Sequence, residues 1–202
     1  MTDDFFDRHL GPAPVIVILR GLAADETLEQ TQRAWRLGVA LVEIPVQSPA
    51  GLAALQRVAE LARDSGRLVG AGTVTSVALL EQVVAAGAAF TIAPALDEEV
   101  SRASAAAGVP HLPGVATATE THRALQLGHR WLKAFPAAQL GAGWFPALAG
   151  PFPQARYVAT GGVSAYNAEG FLRAGAAAVS LGSSFGRMPD DVVRSLTGNH
   201  GA

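Results

Sequence analysis
The sequence predicts an α/β chain forming one domain, with eight strand–helix units closed into a (β/α)8 barrel. Three observations predict it. Short apolar runs rich in β-branched residues alternate with longer Ala/Leu/Glu/Arg segments at helical spacing. The runs are apolar almost without interruption, as expected of parallel strands covered on both faces. Eight such units follow one another in 202 residues, close to the lower bound of roughly 200 for a closed barrel. Loops must therefore be short, and no lid domain fits. An open sheet of similar content is the competing arrangement.

Taken in order, residues 1–14 are expected as an N-terminal segment, with a short capping helix over Asp3–His9 ended by Gly11 and Pro12. The barrel should span 15–197, leaving 198–202 as a tail. Val15–Arg20 reads as the first strand, followed by a helix over Asp25–Leu37 closed by Gly38. Leu41–Val46 precedes a helix over Pro49–Ser65, with Gly66 after it. Leu68–Val74 pairs with the helix Ser76–Ala86, and Phe90–Pro94 with the helix Asp97–Ala107. His111–Val115 precedes Ala118–Leu127, and Trp131–Pro136 precedes a helix near Gly143–Ala149. Tyr157–Thr160 leads to Ala165–Ala174, and Ala178–Gly182 to a last helix near Asp190–Leu196. Glycine at most helix ends and Asp, Ser or Thr at several helix starts support these boundaries.

Composition narrows the function. A net charge of −2 with scattered arginines gives no electrostatic footprint for nucleic acid or for an anionic membrane surface. Cysteine is absent, which removes disulfides, thiolate nucleophiles and cysteine metal sites. No apolar run approaches the ~20 residues of a membrane span. The acidic start MTDDFFDRHLGPAP lacks the basic-then-apolar order of a signal peptide, so a cytoplasmic location is expected. The five histidines (His9, His111, His122, His129, His200) show no ligand spacing, and no metal is expected. His111, at a strand start, reads as structural; Trp35, Trp131 and Trp144 read as packing residues. GAGTV lacks the third glycine of a dinucleotide fingerprint, and no cofactor is expected.

Lys133 is the only lysine among 15 cationic Lys and Arg residues, so the chain uses arginine wherever it needs only a charge. It lies in WLKAFPA, between Trp131, Leu132, Ala134 and Phe135, in a run that reads as a buried strand. Arginine stays charged, whereas a desolvated lysine can lose its proton near neutrality and attack a carbonyl to form a Schiff base. The alternative is a packed stem with its ammonium turned to the rim. Glu43 lies between Val42 and Ile44, and a buried carboxylate needs a reason. Facing an inward lysine it could shuttle protons; the alternative is a structural ion pair inside the barrel.

Chemistry in such a barrel sits at the C-terminal ends of the strands. Strand one ends in Arg20, and strand two carries Glu43 and then Gln47. Strand three ends in Gly72 and Thr73, strand four at Pro94, and strand six offers Lys133. Strand seven ends in Thr160, Gly161 and Gly162, and strand eight in Gly182, Ser183 and Ser184. Backbone N–H groups at Gly161, Gly162, Gly182 and Ser183 would make an anion nest, a common phosphate site in this part of a barrel.

From about Val15 to Arg187 the chain resembles the 2-keto-3-deoxy-6-phosphogluconate (KDPG) and 6-phosphogalactonate (KDPGal) aldolases. The resemblance rests on VILRG, VEIPVQSP, GAGTV, IAP, PGVATATE, LKAFPA, ATGG and LGSS, in that order. It implies a class I aldolase that releases pyruvate and glyceraldehyde 3-phosphate, with Lys133 as Schiff-base lysine and Glu43 as general acid/base. Thr73, Pro94 and Phe135 would line the pyruvate pocket, and Gly161-Gly162 with Gly182–Ser184 would hold the phosphate. It also implies a homotrimer without metal. Gluconate-type members typically carry arginine where Gln47 stands, and VEIPVQSP is closer to the galactonate type. Thr160, however, resembles the gluconate type, since galactonate enzymes tend to have valine there. Arg20 is therefore expected to hold the substrate carboxylate. Cleavage of 4-hydroxy-2-oxoglutarate, a phosphosugar isomerase or epimerase using Glu43 as base, and a catalytically silent phosphate-binding barrel are the alternatives.

Overall fold
The computed structural model describes residues 2–198. Its elements are α1 (Thr2–Leu10), β1 (Val15–Ile18), α2 (Ala24–Arg36), β2 (Leu41–Pro45), α3 (Pro49–Asp64), β3 (Val69–Gly72) and α4 (Val77–Ala85). Next come β4 (Thr91–Ile92), α5 (Glu98–Ala106), β5 (His111–Leu112), β6 (Gly114–Val115), α6 (Ala118–Gln126) and β7 (Trp131–Ala134). The chain continues through α7 (Ala137–Leu140), α8 (Trp144–Ala149), β8 (Arg156–Thr160), α9 (Ala168–Arg173) and β9 (Ala178–Leu181). A 3-10 turn, Phe185–Arg187, then leads to α10 (Asp190–Leu196). From residue 199 on, the expected tail lies outside the described residues.

All strand pairs are parallel, in the order β5-β4-β3-β2-β1-β9-β8-β7-β6. The two end strands are halves of one strand interrupted at Pro113, so the sheet closes on itself as a barrel. At the break the Lys133 N–H donates to the Pro113 carbonyl at 2.8 Å. The expected strand His111–Val115 is thus split, because proline has no N–H to continue the ladder. Ser48, Ser76, Asp97 and Thr117 cap α3, α4, α5 and α6 with their side chains, Thr117 in a reciprocal box with Glu120.

Strand period two sorts the buried side chains into two layers. Val15, Val17, Val42, Ile44, Leu132, Ala134, Val179 and Leu181 pack outward against the helices. Ile16, Leu41, Phe90, Trp131, Val158 and Ala178 pack inward around Phe6 and Leu10 of α1. Helix α1 therefore fills the N-terminal mouth of the barrel, with the Phe6 ring centroid 6.3 Å from those of Phe90 and Trp131. Fully burying Phe6 and Leu10 contributes roughly 2 kcal/mol each. Asp7 fixes the helix in place, accepting from Trp131 Nε1 at 2.9 Å and Arg130 Nη2 at 2.7 Å, with Arg156 Nε at 3.4 Å.

Candidate active site
The inward parity that puts Leu41 and Trp131 in the barrel floor puts Glu43 and Lys133 one step above them. The same parity continues along the strands to Arg20, Phe135, Thr160, Ser180 and Gly182, toward the C-terminal mouth. Glu43 is only 1% exposed, and neither carboxylate oxygen has a hydrogen-bond partner among the described residues. Room for it comes from Gly72 on the neighbouring strand, where a Cβ would lie 2.6 Å from Glu43 Cδ and 2.7 Å from Cγ. Gly70, one step lower, likewise makes room for the Phe90 ring.

Lys133 is 3% exposed, with its Nζ 5.3 Å from the Phe135 ring centroid. Desolvation pushes the Glu43 carboxyl above the ordinary carboxylate range, and the positive charges of Lys133 and Arg20 pull it part of the way back. A buried amine, a carboxyl whose protonated form burial favours, and a guanidinium near enough to act on it thus share one end of the barrel. Such a set can attack a carbonyl and move protons beside it.

Above this layer opens a cavity of about 230 Å³ between β1, β8, β9 and the end of β7. Of the residues singled out from sequence, Arg20, Phe135, Thr160, Gly161 and Gly162 line it, with Gly182 and Ser183. Both glycines after β8 have left-handed backbones, φ 93° at Gly161 and 72° at Gly162. A Cβ at Gly161 would stand 3.1 Å from the Phe135 ring, and one at Gly162 would collide with Ala138. A side chain at either position is therefore excluded twice over. Ser184 is half-buried and its hydroxyl is taken up by the Val163 carbonyl at 2.9 Å, so it ties the β9 end to the β8 loop.

Thr73 and Pro94 follow β3 and β4 at the same mouth but do not line this cavity. Thr73 holds φ 61°, a left-handed backbone unusual for a β-branched residue. Pro94 is approached closely by Gly114, where a Cβ would lie 2.7 Å from the Ala95 nitrogen. Gln47 is exposed and stands outside the cavity lining. Three lining residues were not foreseen: Ile18, Val163 and Ser180. Ser180 accepts a hydrogen bond from the Thr160 hydroxyl at 3.1 Å; its inward parity, two residues before Gly182, was the available signal.

The remaining singled-out residues lie elsewhere. The His111 Nδ1 is 2.9 Å from Thr91 Oγ1, and the ring is buried 5.8 Å from that of His129. Trp144 Nε1 donates to the Ala116 carbonyl at 3.0 Å. Among the described residues there is no group of three or more His, Cys, Asp or Glu placed to hold a metal.

Residues 6–194 match the model of the family described as "Aldolase: KDPG and KHG aldolase". The chain is 34% identical to the 2-dehydro-3-deoxy-6-phosphogalactonate aldolase of Escherichia coli (strain K12), over 90% of this chain and 89% of that protein. It is 32% identical to the 2-dehydro-3-deoxy-phosphogluconate aldolase of Dickeya dadantii (strain 3937), over 80% of this chain and 75% of that one. Among solved structures it is similar to the KDPG aldolase of Legionella pneumophila with pyruvate captured as a covalent carbinolamine. That superposition has a TM-score of 0.80 at 29% identity and covers 92% of this chain and 93% of the other. The barrel, the buried amine and carboxylate, and a match spanning nearly the whole sequence lead to one conclusion: the chain belongs to the KDPG and KHG aldolase family.

Proposed function
We propose that this protein is a class I aldolase cleaving a 2-keto-3-deoxy-6-phospho sugar acid of gluconate or galactonate type. The observation that carries the reading is the buried layer itself, with a lone lysine and an unpartnered carboxyl inside one barrel. The unprotonated amine of Lys133 attacks the C2 ketone, and Glu43 as an acid protonates the departing hydroxyl, giving an iminium and water. The Glu43 carboxylate left by that step takes the C4 hydroxyl proton as C3–C4 breaks; glyceraldehyde 3-phosphate departs and the bond electrons pass to the iminium, leaving an enamine. Glu43 returns a proton to C3, and water hydrolyses the resulting iminium to pyruvate and free Lys133. A carboxyl held up by desolvation suits a group that must be acid in one step and base in the next.

In this reading Arg20 holds the substrate carboxylate, Thr73, Pro94 and Phe135 shape the pyruvate end, and Thr160 lies along the sugar chain. The N–H groups of Gly161, Gly162, Gly182, Ser183 and Ser184 receive the phosphate. Gln47 contributes from the rim. The family description and the Legionella carbinolamine both support Schiff-base chemistry over an isomerase or epimerase, which would form no covalent adduct. Cleavage of 4-hydroxy-2-oxoglutarate is the alternative, decided by comparing phosphorylated and unphosphorylated substrates. The reading further holds that the enzyme is a homotrimer, open to sedimentation equilibrium, and that it works in the cytoplasm, where phosphorylated sugar acids are retained.

The deciding experiment is borohydride reduction with pyruvate followed by peptide mass mapping. A pyruvate-derived adduct on the peptide containing Lys133 is expected, and the chain has no other lysine to confuse the assignment. An unmodified Lys133 overturns the proposal.

A further inference from the structure
The loop that follows β8 is held by hydrogen bonds that end on successive carbonyl oxygens. The Ala138 N–H donates to the Gly161 carbonyl at 3.0 Å, Asn167 Nδ2 to that of Gly162 at 2.9 Å, and the Ser184 hydroxyl to that of Val163 at 2.9 Å. Asn167 grips the loop at a second point, its Oδ1 accepting from the Ser164 N–H at 2.8 Å. A donor on one side and an acceptor on the other fix which way round the amide lies.

With three carbonyls in a row engaged, the polar groups the loop can offer to the cavity are its N–H groups, and Gly161, Gly162 and Val163 all line that cavity. Asn167 itself does not line it. Its contribution is to decide which pole of the Gly162 peptide is free. Two adjacent glycines are permissive enough to flip a peptide plane, and a flip would set a carbonyl oxygen where an anion needs a donor, exchanging attraction for repulsion.

We propose that Asn167 is a positioning residue that sets phosphate recognition by locking the Gly161–Val163 loop with its N–H groups available and its carbonyls occupied. The inference rests on the reading that this loop receives the substrate phosphate. It concerns a residue that touches neither substrate nor the reacting atoms.

The test compares Asn167→Ala and Asn167→Asp with the parent in three measurements: steady-state cleavage of the phosphorylated keto acid, binding of inorganic phosphate by calorimetry, and proton exchange at C3 of pyruvate. Losing two neutral hydrogen bonds should raise KM for the phosphorylated substrate about tenfold. The dissociation constant of inorganic phosphate should rise in step, and pyruvate exchange, which involves no phosphate, should stay within threefold. Asn167→Asp keeps the bond from Ser164 but sets a negative charge beside the loop, and should weaken phosphate more than alanine does, most at low salt. Equal losses in phosphate binding and pyruvate exchange would mean a merely structural role and overturn the proposal, as would unchanged phosphate binding in both variants. Pyruvate trapping on Lys133 is read separately in the parent, so failure of the aldolase reading is distinguished from failure of this one. The calorimetric measurement needs no turnover and decides in either case.

Discussion
Replacing Gly72 by alanine tests whether the placement of Glu43, rather than its mere presence, carries the proton transfers. The φ of Gly72 lies outside the left-handed region, so an alanine backbone is acceptable there; the obstacle is the carboxyl side chain opposite. The new Cβ would overlap Glu43 Oε1 and stand 2.6 Å from Cδ, against 3.4 Å for the start of ordinary contact, so the carboxyl must retreat by more than about 0.8 Å. The side chain is almost wholly buried and cannot swing into solvent. A misplacement of roughly 1 Å in a reacting group costs on the order of 10²-fold in rate, and kcat for aldol cleavage should fall by about that factor. Overpacking of one methyl should lower stability by only about 1–3 kcal/mol. Following C3 proton exchange of pyruvate in deuterated water by NMR isolates the Glu43 step, and that rate should fall together with kcat. An exchange rate within threefold of the parent, in a folded variant, would refute the claim that Gly72 exists to seat this carboxyl.

Two predictions concern pH. Because burial raises the folded-state affinity of Glu43 for a proton, the folded chain holds a proton that the unfolded chain releases above about pH 4.5, and this site costs increasing stability as pH rises through its folded value. Glu43→Gln should therefore melt higher than the parent at pH 8, with the gain shrinking toward pH 4.5, while aldol cleavage is lost; thermal melts across that range check it, and a constant difference would count against the shift. His111 behaves in the opposite sense: burial first, then the nearby His129, push it down to about 3, so between pH 6.5 and about 3 the unfolded chain takes up a proton that the folded chain refuses. Stability should drop as pH falls through that window, by up to about 1.4 kcal/mol per pH unit from this group, and His111→Gln should flatten the slope in urea melts.

The barrel was legible because strands covered on both faces must be apolar throughout, and because capped helices with glycine ends mark their own limits. Glu43 and Lys133 stood out for the same reason, as charges inside runs that otherwise carry none. What escaped depends on contacts between distant segments or on elements too short to show a period. Helix α7, four residues after Pro136, has less than two turns in which to display one. The helix expected from Ala165 begins only at Ala168, because Ser164 to Asn167 is consumed by the Asn167 turn. Pro113 was visible in the sequence, but reading His111–Val115 as one strand overlooked the missing donor that divides it. The Ser184 hydroxyl shows no partner in the sequence, and only the fold reveals that it donates to the Val163 carbonyl. Gln47, singled out by the motif VEIPVQSP, follows β2 on an exposed turn outside the cavity lining, a placement that only the turn's course decides.

The helix wedged under the strands by Asp7, Phe6 and Leu10 has a kinetic consequence. A vessel stoppered at its base has a single doorway, and whatever is made deepest inside must wait for whatever lies nearer the exit. In the proposed mechanism the fragment bonded to nitrogen is the deeper of the two, so the aldehyde has to leave first and the keto acid last. Added pyruvate should then compete with the incoming sugar acid for the empty enzyme, whereas added aldehyde should not.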